Sequence, residues 1–318
     1  MNSQTKSTSR ATDVPFAMYD AFTDVPFSGS QAAVILHASD ISHQNRIKIA
    51  REIGAPATSF VNSVFGNRID LQFFSTVMEL PMCGHGTICL ITRLVELGLL
   101  PSGSDSWQSV FLDLPKGEAH VEYRRTNTGR IEVMLDVATA QFTSPSLDLS
   151  VLAQILGVGL EDISTDLPPE VASADFIHLC LPMRDLAAMK KLDPDFPALA
   201  KFCISNGLET VAVFSTEVQN TSNNLHVRDF CPAVGVAESA AAGTTNAALS
   251  AYLLRNGLVH SDADGNVLVL AKQGIELCRP SNVTTLIKVK DDYITRLQVG
   301  GVASRVIEGV LNVDQGAL

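Results

Sequence analysis

Several things are scarce in this chain of 318 residues, and each scarcity removes a class of function. Basic residues are outnumbered: 23 Lys and Arg against 34 Asp and Glu leave a net charge of −11 and a pI near 5.0. Nucleic acid and anionic membranes both demand basic surface, so neither is expected as a partner. No apolar run reaches the ~18 residues that a membrane span needs. The six cysteines, at 83, 89, 180, 203, 231 and 278, form no CxxC pair, and none stands with histidine at zinc-ligand spacing. A reduced, cytoplasmic chain without a metal site is expected. Familiar catalytic signatures are also missing: no GxxxxGK[ST] phosphate loop, no GxGxxG after a strand, no GxSxG elbow and no Ser/His/Asp ordering.

What is present builds a core. Hydrophobic residues make up 46% and charged residues 18%, which excludes global disorder. The length suits two domains of ordinary size. Residues 1–13, MNSQTKSTSRATD, are Ser/Thr-rich without the apolar centre of a secretory signal and are expected to be a flexible tail. Beyond them the chain alternates strand-like and helix-like pieces. Strands are expected at 14–22, 32–37, 58–65, 68–75, 109–115, 118–125 and 130–136, with helices at 43–54 and 87–97 closed by Gly54 and Gly98. TNTG (126–129) is expected to be a turn or an interdomain crossing. The second half repeats the style. Helices are expected at 147–157 and 246–257, and strands at 176–182, 209–215, 226–232, 267–274, 282–290, 294–301 and 304–311.

The repetition extends to individual residues. Met82-Cys83-Gly84-His85-Gly86-Thr87, followed by ICLITRLVELG, aligns without gaps on Ala241-Ala242-Gly243-Thr244-Thr245-Asn246, followed by AALSAYLLRNG. The same offset places Glu79 on Glu238, and LQFFST (71–76) matches VRDFCP (227–232) after a three-residue length change. Two related halves imply pseudo-twofold domains with a cleft between them.

Each half thus carries a Gly-rich turn leading into a helix, where backbone N–H groups and the helix dipole favour a carboxylate or an enolate oxygen. Cys83 stands at the first turn, where dipole and N–H donors would lower its pKa, and His85 could act as a proton partner near neutral pH. Such a thiolate can remove a proton from carbon beside a carboxyl or carbonyl group. The alternative is that Cys83 simply fills space, as buried cysteines often do. Arg228 with Asp229 reads more readily as a structural ion pair than as catalytic. Glu79 and Glu238 are equally compatible with helix-entry caps and with lining the cleft. His37, His43, His120, His178, His226 and His260 show no partner pattern.

YDAFTDVPFSGSQAAVIL (19–36), IAREIGAPATSFV (49–61), LQFFSTVMELPMCGHGTI (71–88), VRDFCPAVGVAESAAAGTTNAALSAYL (227–253), GIELCRPS (274–281) and VGGVASRVIEGVL (299–311) together resemble the PhzF-like phenazine-biosynthesis isomerase family, in order along almost the whole chain. The resemblance implies an α/β (α+β) fold of two pseudo-symmetric diaminopimelate epimerase-like domains, each a curved sheet or barrel around a central helix. It also implies an active site in the interdomain cleft, chemistry by proton movement on carbon, and no metal or organic cofactor. A homodimer is a further expectation.

This chain departs from the family's pattern at informative places. Where phenazine-type members carry a catalytic Glu, it has Ala57; where they carry an Asp after Glu238, it has Ser239; Gly29-Ser30-Gln31 replaces G-N-P. Cys83-Gly84-His85-Gly86-Thr87 resembles the first cysteine motif of the proline racemases, but their second cysteine is matched by Ala242. One base therefore stands where a racemase has two. The expectation is a cofactor-independent isomerase of a small carboxylate or carbonyl compound, with Cys83 as base and His85 as its partner. Ser30, Gly84, Gly86, Thr87, Glu238, Ser239, Gly243, Thr244 and Thr245 would bind the substrate. A one-cysteine dehydratase or lyase, and a binding or cyclisation-templating protein on the same fold, are the alternatives. The expected domains span 14–127 and 128–312, with the last strand free to cross back.

Overall fold

The computed structural model describes residues 11–101 and 105–314. The first half runs β1 (Ala11–Ala21), β2 (Ser30–Ile35), α1 (His43–Ile53), β3 (Ala57–Phe65), β4 (Arg68–Phe74), β5 (Glu79–Leu80), α2 (Gly84–Glu96), β6 (Gln108–Leu114), β7 (Gly117–Arg125) and β8 (Ile131–Asp136). The second half runs β9 (Gln141–Thr143), α3 (Leu149–Ile155), β10 (Glu170–Ser173), β11 (Ile177–Pro182), α4 (Leu186–Lys191), α5 (Phe196–Ser205), β12 (Thr210–Ser215), β13 (Leu225–Cys231), β14 (Val236–Ser239), α6 (Gly243–Arg255), β15 (Asn266–Gln273), β16 (Ser281–Lys290) and β17 (Tyr293–Asp314).

The two halves repeat one another pair by pair. β2 runs parallel to β3 as β11 does to β12. β4 lies antiparallel to β3 and β5, and parallel to β6; β13 stands in the same relation to β12, β14 and β15. The hairpins β6–β7 and β15–β16 then close each curved sheet toward the next strand. Each sheet wraps one central helix. From Gly86 to Val95 every residue of α2 is buried, and so is every residue of α6 from Thr245 to Leu253. Such a helix is buried on all sides because sheet surrounds it, and its few polar side chains are buried with it. The expected mixed fold of two epimerase-like halves is the observed one.

Chain exchange joins the halves. β17 pairs with β16 and β8 through Val302 and then with β1 from Ala303 onward. β9, just after β8, pairs with β10. TNTG is a hairpin turn, with Thr126 N donating to Arg130 O and Gly129 at φ 80°, so β8 remains bonded to β7 across residues 127 and 128. The passage between halves falls between Asp136 and Gln141.

Some expectations need correction. Residues 11–13 were expected in a tail, but β1 starts at Ala11, held by the register of Ala11 against Asp314; residues 1–10 lie outside the described residues. The strands expected at 294–301 and 304–311 are one strand. Gly300 and Gly301 do not break it but allow close approach: a Cβ on Gly300 would stand 1.8 Å from the Val133 carbonyl oxygen. α4 and α5 were not anticipated; their signals are the N-caps Asp185 and Asp195, whose carboxylates accept from Ala188 N and Ala198 N.

Candidate active site

Both central helices begin earlier than their apolar periodicity suggests, because the Gly-rich turns are their first helical turns. Cys83 is the N-cap of α2, with extended backbone at φ −146° and ψ 109°, and its sulfur accepts from Gly86 N at 3.4 Å. The His85 ring stands beside that sulfur, Nδ1 at 3.5 Å and Nε2 at 3.6 Å. Phe73 and the sulfur crowd Gly86: a Cβ there would lie 3.0 Å from the ring and 3.1 Å from Sγ. Thr87 is less available than expected, since its N–H and hydroxyl both donate to the Cys83 carbonyl, at 2.9 and 2.8 Å. That leaves the N–H groups of Gly84 and His85 as the free donors of this turn among the described residues.

The thiol does not behave as the dipole argument suggests. Cys83 is only 6% exposed, and burial pushes its pKa up to about 12 against the opposing effect of the Gly86 N–H. The same burial drives His85 down to about 4. At rest the pair is therefore a neutral thiol beside a neutral imidazole, because neither charge has enough partners to offset lost hydration.

The start of α6 is built differently. Its N-cap is Ala242, which has no side-chain oxygen to offer, so the N–H groups of Gly243, Thr244 and Thr245 have no protein partner among the described residues. Asn246 and Gln273 brace the Ala242 backbone: Asn246 Nδ2 donates to Ala242 O at 2.8 Å and to Gln273 Oε1 at 2.7 Å. Gln273 Nε2 in turn donates to the Ser239 carbonyl at 2.8 Å. Thr245 turns inward, its hydroxyl donating to Asp229 Oδ2 at 3.0 Å. Thr244 borders a small cavity together with Asp175, Phe176 and His178. α2 and α6 touch one another, and Phe22, carried between β1 and β2, packs beside Gly243 and Gly301.

Other expected residues lie within the frame. Ser30 is buried at the start of β2, opposite Ala21. Glu238 is occupied: Arg228 Nε and Nη2 donate to its two oxygens at 3.0 and 2.8 Å, in a pair whose side chains are 9% and 5% exposed. Its counterpart Glu79 accepts from Gln72 Nε2 and contacts His43 Nε2, each at 2.8 Å. Neither glutamate caps a helix. The expected Arg228–Asp229 pair does not form, because successive residues of a strand point to opposite faces; Asp229 faces α6 instead. A cavity of about 150 Å³ lies elsewhere, lined by Val218, Asn223, His226, Lys272 and Asn282 among others, and none of the expected site residues borders it.

Sequence reasoning set Asp229 beside Arg228 as a structural ion pair, found no partner pattern for His178 and did not single out Thr210. Asp229 is 2% exposed, with Oδ1 buried and unpartnered, and burial lifts its pKa to about 7. His178 Nδ1 lies 2.7 Å from Thr210 Oγ1. The available signal was an acid within LHVRDFC, a strand buried along its whole length.

A mixed sheet wrapped twice around buried helices, with a thiol, an imidazole and unspent N–H donors at the helix starts, fits an enzyme of the isomerase class. The comparisons with known proteins agree. The family model described as "Phenazine biosynthesis-like protein" matches residues 19–309, and the chain belongs to that family. The uncharacterized isomerase YfhB of Bacillus subtilis is 30% identical over 240 residues, 75% of this chain and 80% of that protein. The trans-2,3-dihydro-3-hydroxyanthranilate isomerase of Pseudomonas chlororaphis is 27% identical, covering 90% and 95% of the two chains. The crystal structure of the Bacillus anthracis phenazine biosynthesis protein of the PhzF family superposes with a TM-score of 0.85 at 23% identity, over 95% of this chain and all of that one.

Proposed function

We propose that this isomerase moves a proton on the carbon skeleton of a small carboxylate or carbonyl compound, with Cys83 as the base and His85 as its proton partner. The observation that carries this reading is the cluster at the start of α2: the Gly86 N–H and both His85 ring nitrogens lie 3.4–3.6 Å from Sγ. The three uncapped N–H groups of α6 hold the substrate's anionic end and the enolate that develops as the proton leaves. Donors of this kind are worth roughly 3–4 kcal/mol each in a transition state.

The raised thiol pKa fits the task. A weakly acidic thiol gives a strong base once ionised, and carbon acids need a strong base. Forming it requires the thiol proton to pass to His85. That transfer is uphill in the resting pair, because burial raises the thiol and lowers the imidazole, so substrate binding must offset part of it. The removed proton then returns to a different atom, which shifts a double bond. The resemblance implies carboxylates at the positions of Ala57 and Ser239, and their replacement here leaves the thiol to carry the abstraction.

The test is proton–deuterium exchange by NMR in D2O over a panel of small carboxylates and ketones that includes trans-2,3-dihydro-3-hydroxyanthranilate. Cys83→Ala is expected to abolish exchange while leaving the fold intact. Full exchange in that variant would remove Cys83 from the chemistry, and a product lighter by one water would mark elimination instead of isomerisation.

A further inference from the structure

The internal duplication supplies its own control for the polar residues around α6. The register of β11 with β12 places His178 on Thr210, and the register of β2 with β3 places Ala32 on Ala57. Two residues further along, Ala212 faces Asp229 as Ser59 faces Phe73. The helix alignment sets Thr245 on Gly86. Four equivalent positions therefore read Ala32, Ala57, Phe73 and Gly86 around α2, but His178, Thr210, Asp229 and Thr245 around α6. In the first half Phe73 packs against Gly86; in the second, Thr245 donates to Asp229 at 3.0 Å. The fold is satisfied by small and apolar residues at all four sites, so it does not itself require the polar set.

That set runs from Thr245 to His178 with one link open, between Thr210 and Asp229. Thr245 holds one oxygen of Asp229, and Thr210 faces the same carboxyl and favours its charged form. The Thr210 oxygen makes its hydrogen-bond contact with His178 Nδ1 at 2.7 Å, so Asp229 Oδ1 is left buried without a partner. A hydroxyl has one proton to give, so Thr210 can serve the imidazole or the carboxyl but not both. His178 is 2% exposed and borders the cavity of about 10 Å³ shared with Asp175 and Thr244, roughly the room for one water molecule.

We propose that His178, Thr210, Asp229 and Thr245 form a proton relay ending at the first turn of α6, with Asp229 as its reservoir. It would supply the second proton of the isomerisation where a racemase uses a second cysteine. This rests on the reading of the α6 start as the substrate's anion site. With Asp229 protonated, the hydrogen bond reverses and Asp229 donates to the Thr245 oxygen; the enolate's electron pair then takes the freed Thr245 hydroxyl proton and forms the new C–H or O–H bond. Thr245 oxygen recovers a proton from the Asp229 carboxyl. Thr210 passes its own proton to the carboxylate and takes one from His178, whose ring gains one from water at its other nitrogen. The proton the substrate leaves on Cys83 balances the one it gains, the proton held by His85 returns to solvent and replaces the one drawn from water at His178, and nothing is oxidised or reduced. A carboxyl lifted to about 7 is available to give and take protons near neutrality. Thr245, Thr210, Glu238 and Cys231 are the groups that bear on it.

The test needs no substrate. Infrared spectra taken below neutral pH should show a protonated-carboxyl band that Asp229→Asn removes. On transfer to D2O that band should shift within the mixing time in the native protein and in Thr210→Ser. In the near-isosteric Thr210→Val it should shift about tenfold more slowly or worse. A band indifferent to Asp229→Asn, or exchange equally fast in Thr210→Val, overturns the relay. Cys83→Ala should leave this exchange unchanged. The relay can therefore fail while the Cys83 assay holds, and the reverse.

Discussion

Alkylation of the native protein by iodoacetamide, read residue by residue by mass spectrometry, tests the resting state of Cys83 directly. Its pKa is raised to about 12, whereas an unperturbed thiol titrates near 8.5, a difference of roughly 3.5 units or about 5 kcal/mol. At about pH 8 an ordinary thiol is about one quarter ionised and Cys83 on the order of 10⁻⁴, so its rate should fall short by about three orders of magnitude. Cys278, which is exposed, serves as the internal standard, and burial at 6% exposure slows Cys83 further. The linkage has the same sign. Because the folded pKa is raised, the stability that Cys83 contributes is intact below about pH 8.5 and drains away as pH climbs toward 12. If Cys83 is alkylated within tenfold of Cys278 near pH 8, the sulfur is stabilised as an anion. The burial argument, together with the claim of a neutral Cys83–His85 pair, would then be wrong.

Other perturbations probe the frame around the site. Asp229 has a folded pKa near 7 against an unfolded value of about 3.9, so its stabilising contribution is whole below about pH 4 and lost as pH rises through 7. Urea titrations should show the native protein losing about 4 kcal/mol more than Asp229→Asn across that window; parallel profiles would contradict the assignment. Arg228→Met strands Glu238 as a buried unpaired charge and should cost about 3–5 kcal/mol by denaturant midpoint. A cost near zero would show that water already reaches that carboxylate. Gly300→Ala drives a methyl into the Val133 carbonyl and should lower stability by about 3 kcal/mol or more, unless β17 and β8 separate, which amide exchange at Met134 would reveal.

Much of this architecture was readable because local chemistry and long-range structure agree. Gly54, Gly66, Gly98, Gly129 and Gly257 all sit at positive φ where a helix or hairpin ends, and the apolar stretches between them became the expected strands and helices. The duplication was legible because helix, glycines and glutamate keep one offset. Reading failed where meaning depends on what lies opposite. Gly300-Gly301 looks like an ending and is a point of close approach. Cys83 at a helix start looks activated, yet the atoms around it withhold water and leave its proton in place. Asp229 beside Arg228 suggests an ion pair, yet the pleat sends them to opposite faces. The His178–Thr210 contact joins residues 32 positions apart, and only strand register could reveal it.

The pairing of the end of β17 with β1 bears on how the chain is made. β1 is made well before residues 303–314, which supply one of its two neighbours. The edge of β1 stays open until residues 303–314 have been made. Such an edge invites wrong pairing until its proper strand arrives. Loss of a few residues near position 310 would thus be felt most at the opposite end of the sequence.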